Sequence, residues 1–106
     1  MKMDTITALA TPPGAGAIAV IRISGPEAHQ IADALFIPMG KKSAGKHVSL
    51  MKGHTVQLGH IVHSGRTIDE VLLTKFAAPR SYTGEHVVEI SCHGSIYIQQ
   101  EIIAAC

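Results

Sequence analysis

Two charged residues stand where a β-strand has little use for charge. Arg22 lies within Ala17 to Ser24, a run whose Ala19, Ile21 and Ile23 share one face, while Ile18, Val20, Arg22 and Ser24 share the other. Glu89 lies within His86 to Cys92, where Val88, Ile90 and Cys92 alternate with Val87, Glu89, Ser91 and His93. Successive strand side chains point to opposite faces, so each charge shares a face with apolar neighbours. A guanidinium or carboxylate drawn out of water must be paired or hydrogen-bonded. Two arrangements satisfy that demand. The residues can pair with each other or with helix ends. Alternatively they line a polar pocket for a planar heterocycle. There a carboxylate accepts two parallel N–H bonds from an amino-pyrimidinone edge, and an arginine holds a carbonyl or carboxylate.

Other chemistries find less support. The seven histidines do not converge by spacing on a metal. His60 and His63 fall on opposite faces of a strand, as do His86 and His93, and the adjacent Cys92 and His93 diverge. The Gly-rich loop from Thr11 to Ala17 lacks the Gly-Lys-Ser/Thr of a phosphate-binding loop. It also leads into a strand, where a phosphate loop leads into a helix. It reads as a structural turn or as the wall of another pocket. No Gly-x-Ser-x-Gly elbow offers a nucleophile, so no catalytic residue is assigned.

Composition narrows the class. A length of 106 residues suits one domain, and 46% apolar residues argue against disorder. With no Trp and only 4% aromatics, the core must be built from Ile, Val, Leu and Ala. A net charge of +1 gives no general basic surface for nucleic acid. Cys92 and Cys106 form neither a metal nor a redox spacing and suit a reducing compartment. No stretch reaches the ~18 apolar residues of a membrane helix. A soluble, cytoplasmic protein without membrane contact is expected. The last residues, Glu101 to Cys106, stop inside a helical pattern, as if cut from a longer chain.

The elements that must position Arg22 and Glu89 follow in order. Thr5 to Ala10 reads as a strand, and Ala17 to Ser24 as a second. Ser24-Gly25-Pro26-Glu27 reads as a capping box opening a helix, with Ala28, Ile31, Ala32, Leu35 and Phe36 as its apolar stripe and Pro38 as its end. Pro38 to Gly53, with Lys41, Lys42, Lys46 and Lys52, reads as a solvated surface loop. His54 to His63 and Thr67 to Phe76 form a hairpin around Ser64-Gly65. Thr83-Gly84-Glu85 has turn chemistry ahead of the Glu89 strand, and a second helix starts after Gly94. The order ββαβββα predicts an α+β fold, a mixed β-sheet with helices packed on one side.

The stretch from Asp4 through Thr11-Pro-Pro-Gly-Ala-Gly to Ile21-Arg-Ile-Ser-Gly25 resembles the N-terminal signature of the MnmE (TrmE) family of tRNA modification GTPases. Asp69-Glu70 and Pro79 to Gly94 resemble its second signature. The resemblance implies a tetrahydrofolate-binding and homodimerisation domain over residues 1–106, related in fold to the folate domains of aminomethyltransferases. The arginine of the first signature falls on Arg22 and the glutamate of the second on Glu89, both implied folate contacts. The implied cofactor is a tetrahydrofolate derivative, 5-formyl or 5,10-methylene, supplying a one-carbon unit. In the family this serves modification of the wobble uridine of tRNA at carbon 5, with the flavoprotein MnmG. A further implied lysine contact lies beyond Cys106. So do the helical domain, the GTPase domain with its GTP, magnesium and potassium, and the C-terminal cysteine motif. The chain alone is therefore not expected to hydrolyse GTP or modify tRNA. His86 and Ser95 depart from the commoner Asp and Gly, and Ser95 is suited to cap the second helix. A purely structural dimerisation module without folate, and a stand-alone aminomethyl-transfer enzyme, are the alternatives.

Overall fold

Alternation and amphipathic spacing become nine elements in the computed structural model, which describes residues 4–78 and 85–106. Among these residues the order is β1 (Ile6–Leu9), β2 (Ile18–Ser24), α1 (Ala28–Leu35), β3 (Phe36–Pro38), α2 (His47–Leu50), β4 (Thr55–His63), β5 (Arg66–Phe76), β6 (Val87–His93) and α3 (Ile96–Ala105). The α+β class is as expected. The turn at Thr83-Gly84 lies outside the described residues.

The strands form one sheet in the order β1-β2-β6-β5-β4-β3. Every pairing is antiparallel, which corrects the expected mixed sheet. The reason is topological. The segment containing α1 carries the chain from β2 to the far edge at β3. Three reversals then return it through β4 and β5, so β6 reaches β2 running the opposite way.

One face of the sheet makes the core. Ala19, Ile21 and Ile23 of β2 lie beside Cys92, Ile90 and Val88 of β6, and Leu73 lies beside Ile90. The helices add Ala28, Ala32, Leu35, Val48 and Ile102 to the same buried cluster. On the opposite face Ile18, Leu58 and Leu72 remain exposed. No helix among the described residues is long and apolar enough to cross a membrane.

Three local expectations are corrected. The capping box does not form. Ser24 ends β2, and its hydroxyl donates to Glu85 Oε2 at 3.1 Å, while the Glu27 amide donates to Thr5 Oγ1 at 2.9 Å. The first helix stops at Leu35, well before Pro38. Phe36 turns extended (φ −101°, ψ 128°) and pairs with Ile61, so Phe36–Pro38 becomes an edge strand. Proline is tolerated there because an edge leaves N–H groups unpaired. Gly59 admits this strand: a Cβ at that position would overlap the Ile37 carbonyl oxygen and sit 2.6 Å from the Phe36 ring.

The Lys-rich segment is also more than a loop, because it contains α2 with Val48 fully buried. Asp33 of α1 accepts from the Val48 amide at 2.6 Å, the Ser49 amide at 3.1 Å and the Ser49 hydroxyl. At the other end Lys75 of β5 donates to the Ser49 and Met51 carbonyls at 3.0 and 2.6 Å. A four-residue helix cannot support itself by propensity. An acid at its amides and a base at its carbonyls complement its dipole and hold it in place.

The remaining turns follow their residues. Ser64 (φ 53°) and Gly65 (φ 74°) both adopt positive φ, which closes the β4–β5 hairpin in a two-residue type I′ turn. Ser95 caps α3 as expected, accepting from the Ile98 amide at 3.3 Å.

Candidate ligand-binding site

The sheet order brings together two residues that the chain separates widely. Arg22 on β2 lies directly opposite Glu89 on β6. Its Nε and one terminal nitrogen donate to Glu89 Oε2 at 2.9 and 2.6 Å. The side chains keep 35% and 20% of their exposure, so the pair is shielded without being sealed. Both bonds fall on a single carboxylate oxygen. A carboxylate has about four acceptor positions, so Glu89 retains capacity for further donors. The pair therefore satisfies its own charges and still offers an acceptor edge beside a cation.

The surroundings are built by register. Ala8, Arg22, Glu89, Thr74 and Val56 form one row across five strands on the face that carries no core. Further along β2 and β6 the same face presents Val20 beside Ser91 and Ile18 beside His93. Ile18, Leu58, Glu70, Leu72, Ser91 and His93 line a shallow cavity of ≈ 170 Å³ there. That is below the ~300 Å³ of a typical small-molecule pocket. Among the described residues the face forms one wall of a site.

At the far end of β6 lies a contact that the spacing did not reveal. The Asp69 carboxylate accepts from the His93 backbone amide at 2.8 Å and lies 2.7 Å from His93 Nδ1. A bonded Nδ1–H leaves Nε2 as the unprotonated nitrogen of the neutral ring. Asp69 and His93 sit on neighbouring strands where the β5–β6 ladder has already ended at Leu72 and Ser91, so the carboxylate replaces a ladder partner. Only an acid one strand away from an outward histidine could have hinted at this.

The Gly-rich loop is held as a structural turn. Thr11 Oγ1 accepts from the Val20 amide at 3.3 Å. Buried Gln99 of α3 donates to the Gly14 and Gly94 carbonyls at 3.0 and 3.1 Å. Gly94 must lack a side chain, because a Cβ there would overlap the Gly16 carbonyl. The thiols are quiet: burial pushes Cys92 up to about 11, with Asp69 adding to the shift. Burial likewise pushes Cys106 up to about 11. Neither is a thiolate at neutral pH. Among the described residues, no three His, Cys, Asp or Glu side chains are placed to share a metal ion.

A family described as "GTP-binding protein TrmE N-terminus" matches residues 5–106. The chain belongs to this family. The match includes both strands of the Arg22–Glu89 pair and the Asp69–His93 contact. Among curated proteins, the chain is 57% identical over 103 residues to the "tRNA modification GTPase MnmE" of Flavobacterium johnsoniae, covering 97% of the chain and 21% of that relative. It is 59% identical over 104 residues to the protein of that name from Christiangramia forsetii, again 97% of the chain and 21% of the relative. Against that of Listeria welshimeri it is 52% identical over 96 residues, 91% of the chain and 20% of the relative. The chain thus spans about a fifth of the length of these TrmE-family relatives.

Proposed function

We propose that this TrmE-family chain binds a tetrahydrofolate derivative, 5-formyl or 5,10-methylene, against Arg22 and Glu89, and that it pairs with a second copy. The observation that carries this reading is the Arg22–Glu89 pair, half-shielded on a sheet face that no helix covers among the described residues. The pair suits a reduced pterin. Glu89 offers carboxylate acceptors to the ring's parallel N–H donors, while Arg22 supplies donors and positive charge for a carbonyl edge. Ile18 and Leu72 extend apolar surface alongside. When bound, the folate supplies a one-carbon unit. The residues of this chain hold and orient it.

The open geometry supports pairing. Among the described residues this face forms one wall with a shallow cavity, and a second copy would add cover to it. On this reading the chain serves a larger tRNA-modifying GTPase, acting with the flavoprotein MnmG on the wobble uridine of tRNA at carbon 5.

Calorimetry with 5-formyltetrahydrofolate tests the binding. The expected result is a saturable heat in the unaltered chain and a loss of about tenfold or more in affinity for Arg22→Ala and Glu89→Gln, the scale of a charge-assisted hydrogen bond. Light scattering tests the pairing. A folded dimer that shows no heat would support the second reading, a structural dimerisation module. That reading is favoured by one observation, that Arg22 and Glu89 already bond each other.

A further inference from the structure

The net charge of +1 conceals an uneven distribution. Residues 38–53 carry four of the nine Lys and Arg residues and none of the eight acids. Lys41, Lys42, Lys46 and Lys52 are all exposed. Among the described residues none of these four is ion-paired, whereas the other cations are engaged. Arg22 is held by Glu89 and Arg66 by Glu101, and Lys75 donates to two carbonyls. The segment is also shaped. Lys46 precedes α2 and Lys52 follows it, and α2 is pinned by Asp33 at its amides and Lys75 at its carbonyls. The Lys41 amide donates to the Pro38 carbonyl at 3.0 Å, and the Thr55 hydroxyl donates to the Lys52 carbonyl at 2.6 Å. Both flanks are thereby tied to β3 and β4. A groove of ≈ 260 Å³ beside α2 is lined by Lys41 together with the apolar Pro38, Leu50 and Met51. Leu50 is 81% exposed. Asp33 lines the cavity on the Lys46 side, but its carboxylate is committed to α2.

We propose that Lys41, Lys42, Lys46 and Lys52, arrayed around α2, form a contact surface for the phosphate backbone of RNA. Each lysine that neutralises a phosphate releases counterions condensed on the nucleic acid, and that release drives the association. The groove adds apolar surface against which a sugar or an unstacked base can lie. Charge complementarity selects a polyanion. Among polyanions, the shared name of the relatives, "tRNA modification GTPase MnmE", selects RNA. A lipid surface is the poorer match, because α2 has four residues and is too short to lie in a membrane interface as an amphipathic helix. The choice of RNA rests on the proposed place of the chain in a tRNA-modifying protein. It does not rest on folate binding. Edge strand β3 lies four strand spacings from β2, about 20 Å, so the lysine surface is separate from the Arg22–Glu89 pair.

The test is fluorescence anisotropy of a labelled tRNA transcript titrated with the unaltered chain at several salt concentrations. Affinity is expected to fall with a log–log slope of about −3, as for four phosphate contacts, a loss of roughly 60-fold between about 50 and 200 mM salt. Replacing all four lysines by Gln is expected to remove this binding. Arg66→Gln deletes an exposed cation outside the segment and is expected to leave the affinity within about twofold. Should the fourfold variant fail to fold, Lys42→Gln and Lys46→Gln decide singly, each expected to lower the slope by about 0.8. RNA left unbound by the unaltered chain at about 50 mM salt would overturn the proposal. So would equal losses for Arg66→Gln and the lysine variants, or tighter binding to phosphatidylserine vesicles than to the RNA. Folate calorimetry on the same proteins keeps the two readings apart. A chain that binds RNA through these lysines without folate heat refutes the folate reading alone, and one that shows the heat but ignores the RNA refutes this one alone.

Discussion

Arg22 and Glu89 sit on one side of the sheet, and Asp33 and Lys75 on the other, and the two sets treat charge differently. Asp33 and Lys75 are buried to 9% and 5% exposure and spend their hydrogen bonds mainly on the backbone of α2. Arg22 and Glu89 keep more exposure and bond side chain to side chain on the face that, among the described residues, no helix covers. Charge consumed by backbone in a buried place is architecture, because its hydrogen bonds are already committed to holding α2. Charge that neutralises itself at an open surface, with acceptor capacity to spare, can be re-partnered by a ligand. The contrast identifies which pair to regard as a site, although the architectural one is the more buried.

Breaking the architectural set should cost the most. Asp33→Ala strands two amides and a hydroxyl at α2 and is expected to destabilise the chain by about 3 kcal/mol in urea unfolding. A loss below about 1 kcal/mol would put Asp33 in the same class as the open pair. Lys75→Met keeps the packed stem and removes the donors to two carbonyls, for an expected loss of about 2 kcal/mol. Arg22→Ala and Glu89→Ala should each cost no more than ~1 kcal/mol, as for partly exposed ion pairs, while lowering the proposed folate affinity by about tenfold or more. Measured together, the four variants separate stability from binding. If the open pair cost as much as Asp33, the distinction drawn from burial would collapse.

The smallest effect is a pH dependence. Burial lowers the pKa of Lys75 from 10.5, partly offset by the attraction of Asp33. The unfolded chain therefore holds this proton to higher pH than the folded one, and stability gains a small rise between the lowered folded value and 10.5. Thermal melts should show that rise in the unaltered chain and lose it in Lys75→Met.

The sequence shows these two sets unequally. Arg22 and Glu89 stand out because period-two alternation isolates a charge inside an apolar run. Lys75 lies on the same face as Val71 and Leu73, so alternation turns it inward, but nothing local names the Ser49 and Met51 carbonyls that receive it. Asp33 gave no such signal, since its partners belong to a helix that exists only through tertiary contact. The same limit hid β3, a three-residue strand defined by its pairing with β4. Strands β2, β4, β5 and β6 and the Ser64-Gly65 turn were legible because local pattern and final packing agree there. The meeting of Arg22 with Glu89 was not, because periodicity assigns faces and leaves neighbours unassigned.

The seam between β2 and β6 also bears on the order in which the molecule is made. The strands from β3 to β6 follow one another along the chain, whereas the Arg22–Glu89 bond joins residues 67 positions apart. Closing a longer loop costs more entropy, and non-local pairing slows folding. The meander is thus the cheaper piece to assemble, and docking β2 onto it is the costly step. A chain halted before that step would hold half a core and no Arg22–Glu89 pair, so, on the proposed function, the appearance of folate binding would time the last closure of the sheet.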